Sequence, residues 1–330
     1  MSLYERFRDP VTHGPLGIAA DGRVLLGEDG TAYPIVDGIP RFVASEGYTA
    51  NFGLEWTIHR RTQLDGATGA SLSRERLERC LGGPVEELAG KRVLEAGCGA
   101  GRFTELLVGA GAHVCAFDMS RAVDANSRNI GGAGSYRIAQ ASVYAIPFEP
   151  ASFDCVIALG MIQHTPDPER TIAKLYEMVK PGGRLVLDHY RWTLKYYLRV
   201  VPWARLLFKH VDGPTAKVWC DRMTRVCFPV HWAVRNKPFA ARVVRVLSPC
   251  AMPDSRSLPA LEALGREQSL DWLALDTFDA LTDRYKHLRT PSEIRRTLAG
   301  LGAAGITVGI GGNGVEASCT KPASGGARNL

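Results

Sequence analysis

A glycine-rich turn is the part of this chain whose residue types and spacing best suit ligand chemistry. Gly97, Gly99 and Gly101 come directly after the apolar run Val93 to Ala96, and a helical pattern begins at Arg102. Glycines remove the Cβ atoms that would keep a ligand away from the backbone. The helix that follows offers unpaired N–H groups at its N-terminus. The segment therefore predicts a nucleotide-binding turn at the carboxyl edge of a sheet.

Two acidic residues narrow the kind of nucleotide. A dinucleotide fingerprint needs a third glycine at position 102, where this chain has Arg102. Glu95, two residues before the first glycine, is a poor neighbour for pyrophosphate and a good one for an ammonium group. Asp118 lies twenty-one residues after Gly97, the spacing at which an acid accepts hydrogen bonds from ribose hydroxyls. The pattern favours an adenosine that carries a cationic head.

Strand and helix patterns alternate around this turn and predict an α/β fold. Apolar runs bounded by turn formers predict five strands, and two more follow helix 292–301 near the C-terminus; the seven lie at 92–96, 113–117, 136–141, 155–159, 184–187, 305–310 and 315–320. Unbroken apolar strands that alternate with helices are typical of a parallel sheet covered on both faces. We therefore expect a doubly wound, mainly parallel, seven-stranded sheet.

The segments outside this alternation divide the chain. Residues 1–50 contain Asp-Gly turns between short apolar runs and predict a small β module. Residues 51–190 hold a covering segment and the nucleotide-binding core. Residues 191–290 are helical, basic and aromatic, and predict a lid inserted after the fifth strand. Residues 291–330 complete the sheet and end in a flexible tail.

The core resembles class I S-adenosylmethionine-dependent methyltransferases, which implies a Rossmann-like sheet and that cofactor. The resemblance rests on the glycine turn, on Ile146-Pro147-Phe148 followed by Ser152 to Val156, on Gln163 to Pro168, and on the Lys180-Pro181-Gly182-Gly183 turn. Relatives usually carry an acid after strand three, where this chain has Ser142, whose hydroxyl can accept the same hydrogen bond from adenine. The implied cofactor-binding residues are Arg61, Glu95, Gly97, Cys98, Gly99, Gly101, Asp118, Met119, Ser142, Val143 and Leu159.

The N-terminal module resembles the small zinc-ribbon-like activator module of tRNA and protein methyltransferases. The signature is Tyr33-Pro34-Ile35-Val36 followed by Gly38-Ile39-Pro40. Related modules hold zinc through two cysteine pairs, whose positions here are Asp9, Thr12, Leu26 and Asp29, and no cysteine precedes Cys80. The sequence argues against a structural zinc in this chain and predicts no metal site.

The methyl acceptor is expected at the carboxyl ends of strands four and five and beneath the lid. Methyl transfer needs positioning, desolvation and sometimes a base. His164 is the best placed base, with Asp188 and Tyr190 as further catalytic candidates. The alternative for His164 is a loop histidine bonded to backbone, and for the other two it is solvation at the end of a strand. His189, Asp276 and Tyr285 are candidate substrate contacts, for which an ordinary structural role is also open. Arg61 has the alternative role of a solvated helix charge.

Composition limits the partners. The chain is 45% hydrophobic and 22% charged with net charge +6, and twelve Lys or Arg against two acids give residues 191–250 a local charge of +10. An anionic or lipid-like substrate, membrane-surface contact or plain cavity cover would each explain that segment. No apolar run of membrane-spanning length and no signal-peptide pattern is present, so a cytoplasmic protein is expected. The eight cysteines form no CxxC pair and are expected to be reduced.

Three functions fit these features. A methyltransferase that acts on a small secondary-metabolite or lipid-like molecule is favoured. RNA methylation is the second hypothesis, although no recognised RNA-binding fold and no Asn/Asp-Pro-Pro-Tyr motif is present, which argues against nucleic acid. The third is a protein that binds the cofactor without methyl transfer. A homodimer is left open.

Overall fold

The computed structural model describes residues 7–45, 47–132, 134–251 and 258–323. Its N-terminal part is a four-stranded antiparallel sheet with the strands in chain order. The strands are β1 (Gly17–Ile18), β2 (Val24–Leu26), β3 (Ala32–Val36) and β4 (Ile39–Pro40). Phe7, Leu25 and Tyr33 from this part belong to the same apolar core as Phe153 of the larger sheet and Phe148, which precedes that strand. The small sheet therefore packs directly onto the rest of the protein.

Three helices connect the small sheet to the large one. They are α1 (Ala50–Ile58), α2 (Asp65–Thr68) and α3 (Leu72–Leu81). Leu77 and Leu81 of α3 are buried in a second apolar core, together with Val93 and Val114 of the large sheet. These helices form the covering segment, and α3 packs its leucine face onto the large sheet.

The large sheet has seven strands, which confirms the predicted fold class. The first five strands of this sheet and the helices between them are, in chain order, β5 (Arg92–Ala96), α4 (Thr104–Gly109), β6 (His113–Asp118), α5 (Ala122–Ile130), β7 (Tyr136–Gln140), β8 (Phe153–Ala158), α6 (Pro168–Met178) and β9 (Val179–His189). Short 3-10 helices lie at Gly47–Thr49, Val85–Leu88 and Ile162–His164. α6 begins at Pro168 behind Asp167, whose side chain accepts a hydrogen bond from the Arg170 N–H, as the N-cap pattern predicts.

Among the described residues, five helices form the insertion that follows β9. They are α7 (Leu194–Tyr197), α8 (Val201–Phe208), α9 (Gly213–Val234), α10 (Pro238–Leu247) and α11 (Leu258–Thr282), the last interrupted by a left-handed Gly265. The chain then returns through α12 (Pro291–Gly300), β10 (Ala304–Gly311) and β11 (Gly314–Thr320). The expected tail lies in residues 324–330, outside the described part of the chain. None of the described helices combines the length and apolar character that crossing a bilayer requires.

The large sheet is mainly parallel, and both of its faces are buried. The order is β10-β11-β9-β8-β5-β6-β7, with β11 antiparallel to both neighbours and β5 to β9 parallel. Alternate residues of β8 enter the two apolar cores, Val156 the first and Ile157 the second, so both faces of the sheet are buried. Parallel strands bring their carboxyl ends to one edge, and in this fold class ligands bind there.

β9 differs from the sequence expectation. It runs from Val179 to His189 instead of from 184 to 187, and it includes the Pro181-Gly182-Gly183 segment. Phe153 pairs with Val179 and Cys155 with Arg184, so the register shifts between these pairs. Gly182 has φ +78°, a conformation that favours glycine. The predicted turn is thus a bulge within the strand.

Candidate active site

One cavity of about 500 Å³ opens at the carboxyl edge of the sheet. Its walls come from the glycine turn, the ends of β6 and β8, helices α1 and α3, and α11 of the insertion. The predicted residues that line it are Gly97, Cys98, Gly99, Asp118, Met119, Val143, Leu159, His164, Tyr190 and Asp276. Residues predicted for cofactor and for acceptor therefore share one chamber.

The glycine turn approaches its neighbours too closely for side chains. Gly97 has φ +68°, and a Cβ there would lie 2.5 Å from the Cβ of Met161. Gly99 has φ +49° and lies against the ring of Trp56 from α1, 3.4 Å from a Cβ position. Gly101 differs, because its Cβ would meet Asn126 and Ile130 within the protein. The first two glycines shape the cavity, and the third allows helix packing.

Asp118 at the end of β6 holds the turn in place. Its Oδ2 accepts a hydrogen bond from the Gly99 N–H at 3.0 Å, and its Oδ1 accepts from the Ser120 N–H at 2.8 Å. Burial raises the pKa of Asp118, while these N–H groups oppose that rise. Each carboxylate oxygen has two lone pairs, so Asp118 retains acceptor capacity toward the cavity that it lines.

Besides Gly101, three predicted cofactor residues lie away from the cavity wall. Ser142 accepts a hydrogen bond from the Tyr144 N–H at 3.2 Å, although its neighbours Ala141 and Val143 line the cavity. Arg61 is exposed outside the lining. Glu95 is 2% exposed, and its Oε2 accepts a hydrogen bond from the Thr104 hydroxyl at 2.6 Å. Glu95 thus supports the turn from below instead of facing the ligand space.

The buried Glu95 makes a pH prediction. Burial raises its pKa to about 8 in the folded protein, against an ordinary value of 4.5. The folded state keeps a proton that the unfolded chain loses, so the Glu95 contribution to stability falls as pH rises from about 4.5 to about 8. In urea denaturation at pH 5, 6.5 and 8, Glu95→Gln should gain stability relative to wild type at each step upward. A difference that does not change with pH would contradict this.

Arg76 and Arg102 line the cavity and were not predicted as ligand contacts. Arg76 forms a salt bridge with Asp188, which is fully buried and also accepts hydrogen bonds from the Gly160 N–H at 2.6 Å and from Asn313 Nδ2 at 3.2 Å. Asp188 does not line the cavity, so it positions Arg76 and Gly160. Sequence alone does not indicate the pairing, because α3 and the end of β9 are far apart in the chain.

Arg102 gives this end of the cavity a second positive charge. Its Nε donates to Ser73 Oγ at 2.9 Å and its Nη1 donates to Gln63 Oε1 at 3.0 Å. The guanidinium also lies over the Trp272 ring, 5.5 Å from its centroid. Burial, and then the charge of Arg76, lowers the pKa of Arg102 to about 9. Arg76 is already paired with Asp188, whereas Arg102 bonds to the neutral Ser73 and Gln63, so Arg102 is the cation that favours a negatively charged ligand group.

His164 lies at the opposite part of the chamber in the 3-10 helix after β8. Its Nδ1 lies 3.2 Å from Asp283 Oδ2 and 3.3 Å from the Tyr285 carbonyl oxygen. These two acceptors favour the tautomer with the proton on Nδ1, which leaves the Nε2 lone pair free to accept a proton. Phe52 packs edge-on against the imidazole with 5.1 Å between centroids. The ring is therefore oriented from two sides.

Asp283 itself is held by two cations. Arg205 of α8 forms a salt bridge with Oδ1, and Lys286 Nζ lies 2.7 Å from Oδ2. Against the effect of burial, the charge of Lys286 lowers the pKa of Asp283 well below its usual range. Ligand atoms of His164, Asp279 and Asp283 lie within 4.8 Å of one another, a spacing that a metal ion could use. Because Arg205 and Lys286 already balance the charge of Asp283, the arrangement favours a proton-transfer dyad.

Carboxyl groups from α1 and α11 complete this wall. Tyr190 donates from its hydroxyl to Asp279 Oδ2 at 3.2 Å, and burial raises the pKa of Tyr190. Asp276 lines the cavity, and burial followed by the charge of Asp279 raises its pKa to about 7. Glu55 is 1% exposed, and burial holds its pKa well above the ordinary value. These groups can form hydrogen bonds with a polar molecule bound in the cavity.

Two predicted substrate residues lie behind the wall. His189 is fully buried, its Nδ1 lies 3.0 Å from the Tyr190 carbonyl oxygen, and burial lowers its pKa to about 4. Tyr285 packs edge-on against Tyr48 and presents its carbonyl oxygen to His164. Neither side chain lines the cavity. Their direct contact with a substrate remains a prediction, and the structure gives them supporting positions.

The central part of the chain is similar to known methyltransferases. Residues 94–187 match the family model described as a methyltransferase domain. Over 126 residues, the chain is 36% identical to a ubiquinone biosynthesis O-methyltransferase from Aromatoleum aromaticum, covering 37% of this chain and 53% of that protein. The Ralstonia nicotianae protein of the same name is 38% identical over 118 residues, covering 34% and 49%. The chain thus spans about half the length of these relatives.

A solved structure from Methanococcus maripaludis, a putative S-adenosyl-L-methionine-dependent methyltransferase, overlaps with a TM-score of 0.45. It is 12% identical and covers 86% of this chain and 98% of that one. This likeness says nothing about activity. Residues 94–187, which run from the middle of β5 to near the end of β9 and supply the glycine turn, Asp118 and His164, are the part of the chain that matches the methyltransferase-domain model.

Proposed function

We propose that this protein transfers a methyl group from S-adenosylmethionine to a hydroxyl group of a small organic molecule. The observation that best supports this proposal is that the matched segment 94–187 provides the glycine turn, Asp118 and His164 around one chamber. The matched relatives are named O-methyltransferases, which favours oxygen as the accepting atom. A chamber of about 500 Å³ is of the size that small-molecule sites have.

The turn side of the chamber fits the cofactor. Gly97 and Gly99 permit close approach to the backbone, and Asp118 has acceptor capacity for ribose hydroxyls. Met119, Val143 and Leu159 offer apolar contacts for adenine and the cofactor chain. Arg76 and Arg102 are better placed than the predicted Arg61 for the methionine carboxylate, because both line the cavity. Glu95 would contribute to cofactor binding by supporting the turn through Thr104.

The acceptor side supplies a base. In methyl transfer to a hydroxyl, the carbon–sulfur bond breaks, a carbon–oxygen bond forms in line, and the hydroxyl proton must leave. His164 Nε2 takes that proton, while Asp283 holds the ring and stabilises the imidazolium that results. Tyr190 and Asp279 orient the acceptor, and Asp276 and Glu55 offer further hydrogen bonds. Asp188 is a positioning residue for Arg76 in this scheme.

We also propose that the N-terminal sheet is an activator-like module that folds without zinc. Asp9 stands at a zinc-ligand position of the related modules, and it accepts hydrogen bonds from the Val11 and Thr12 N–H groups at 2.8 Å and from the Tyr33 hydroxyl at 2.8 Å. At another such position, Asp29 accepts from Thr31. These bonds close the turns that a metal would otherwise organise. The proposal also divides the chain into four parts, with boundaries at residues 50, 190 and 290.

Calorimetry with S-adenosylmethionine and S-adenosylhomocysteine tests the proposed function. The wild-type protein should bind both, and Gly99→Arg should abolish binding because φ +49° strains an arginine and its side chain would occupy the cavity that Gly99 lines. Gly109→Arg is the matched control, since a Cβ at Gly109 meets nothing within 4 Å. Absence of binding by wild type would overturn the proposal. Methyl transfer to cell extract that disappears after nuclease treatment would favour the RNA alternative.

A further inference from the structure

The surface of the insertion carries most of the exposed apolar side chains. Fifteen of the twenty-one large apolar residues that are exposed among the described ones lie between Trp192 and Leu247. Trp203 is 60% exposed, Leu207 75% and Phe239 80%. A monomeric soluble protein rarely leaves so many apolar side chains together in water, and such patches mark interaction sites.

These side chains form stripes on two helices that meet. Trp203 and Leu207 lie four residues apart on α8, and Phe239, Val243 and Leu247 follow one another at intervals of four on α10. This spacing puts each set on one helix face. The Val200 N–H donates to the Val246 carbonyl at 2.9 Å, which joins the start of α8 to the end of α10. We call Leu198, Trp203, Leu207, Phe239, Val243 and Leu247 the lid patch.

The segment that carries the lid patch is strongly basic. Residues 191–250 contain twelve Lys or Arg and two acids. Lys195 and Arg242 are exposed beside the stripes. At the junction of the two helices, Arg199 Nε is buried without a hydrogen-bond partner among the described residues, and burial followed by the charge of Arg245 lowers the pKa of Arg199. An anionic group at this junction would relieve the repulsion between the two guanidinium groups.

The apolar stripes and the positive charge together favour one kind of partner. A second copy docked through the same patch would bring two strongly basic surfaces together, which like charges oppose. Nucleic acid would match the charge but would gain little from exposed leucine, valine and phenylalanine. An anionic lipid surface matches both features, because its headgroups neutralise the basic side chains while the apolar stripes enter the acyl boundary.

We propose that the lid patch docks this protein on the surface of anionic lipid membranes. The inference concerns the outer face of the insertion and does not depend on the reaction in the cavity. The two are connected through the lid, because α8 also carries Arg205 to Asp283 behind His164. The docked face and the acceptor wall therefore belong to one helical unit, which suits an acceptor that partitions into lipid.

Sedimentation with lipid vesicles tests the proposal on the full chain. Wild type should sediment with phosphatidylcholine vesicles that contain phosphatidylglycerol and stay in solution with phosphatidylcholine alone. Lys195→Gln and Arg242→Gln should each lower the partition coefficient about fivefold, and added salt should lower it further. Leu207→Ser with Phe239→Ser should reduce binding at least about tenfold, since it removes two large apolar contacts.

Two controls keep the outcomes separable. Ile18→Ser with Val36→Ser removes two exposed apolar side chains from the N-terminal sheet and should leave vesicle binding unchanged. Binding of S-adenosylhomocysteine should be unchanged in the lid variants, which separates loss of docking from loss of the fold or of the active site. Equal binding to neutral and anionic vesicles would overturn the proposal. So would a wild-type dimer that Leu207→Ser with Phe239→Ser converts to monomers, because the patch would then belong to a second copy.

Discussion

Asp118→Ala is expected to weaken S-adenosylhomocysteine binding by about 100-fold or more. The carboxylate loses its hydrogen bonds to ribose hydroxyls, each worth about 1.5–3 kcal/mol when the acceptor is charged. It also loses the bonds to the Gly99 and Ser120 N–H groups that fix the turn. Isothermal calorimetry measures the change directly. The effect combines a lost contact with a loosened turn, so we expect a rise in the entropic cost of binding as well.

Two further variants separate these contributions. Asp118→Asn retains an oxygen that accepts from the Gly99 N–H, so it should lose less affinity than alanine. Asp154→Ala removes a carboxylate from the amino end of β8, where it accepts from the Arg92 N–H at 2.8 Å, far from the cavity lining. This control should bind the ligand as wild type does. Unchanged affinity in Asp118→Ala would contradict the assigned ribose site.

The sequence predicts the core of the fold because each element has a local signal. Arg92 to Ala96 contains the apolar residues Val93, Leu94 and Ala96 and ends at glycines, and the structure gives the strand those bounds. Asp167 followed by Pro168 predicts the start of α6, and the observed cap confirms it. Strand β9 is the exception: its glycines predict a turn, but hydrogen bonding to β8 on both sides of the bulge keeps it within the sheet.

The acceptor wall shows what local patterns miss. Asp283 touches His164 only because the insertion returns α11 to the carboxyl edge of the sheet, and no local rule predicts that return. A partial signal was present in the spacing of Asp276, Asp279 and Asp283, three and four residues apart, which places them on one side of a helix. Together the three residues indicate an acidic wall, of which Asp276 alone is among the predicted site residues.

The charged residues near the cavity also show that local patterns predict residue types but not their orientation. Arg102 stands out in the sequence because it replaces a glycine, yet its role depends on Ser73, Gln63 and Trp272. Glu95 has the right type for an ammonium neighbour, but strand alternation and the Thr104 hydroxyl turn it into the core. A motif specifies which residue types surround a ligand, whereas burial decides which of them face it.

His164→Ala is expected to lower kcat by about 100-fold to 10,000-fold, the range that a general base contributes. The reason is that the hydroxyl proton loses its acceptor at Nε2, while cofactor contacts on the other side of the chamber are untouched. Labelled-methyl transfer to a hydroxylated acceptor measures the rate, and calorimetry with S-adenosylhomocysteine should show unchanged affinity. Imidazole added to the His164→Ala enzyme should restore part of the rate.

Asp283→Asn tests the orientation of the base separately. The amide keeps the size of the side chain but no longer stabilises a positively charged imidazole, so kcat should fall while KM changes little. Asp221→Asn is the matched control, because Asp221 pairs with Lys217 at 2.6 Å on α9 and does not line the cavity. A full rate in both His164→Ala and Asp283→Asn would remove the dyad from the mechanism. The chamber would then act by positioning alone, as an in-line displacement with an already ionised acceptor permits.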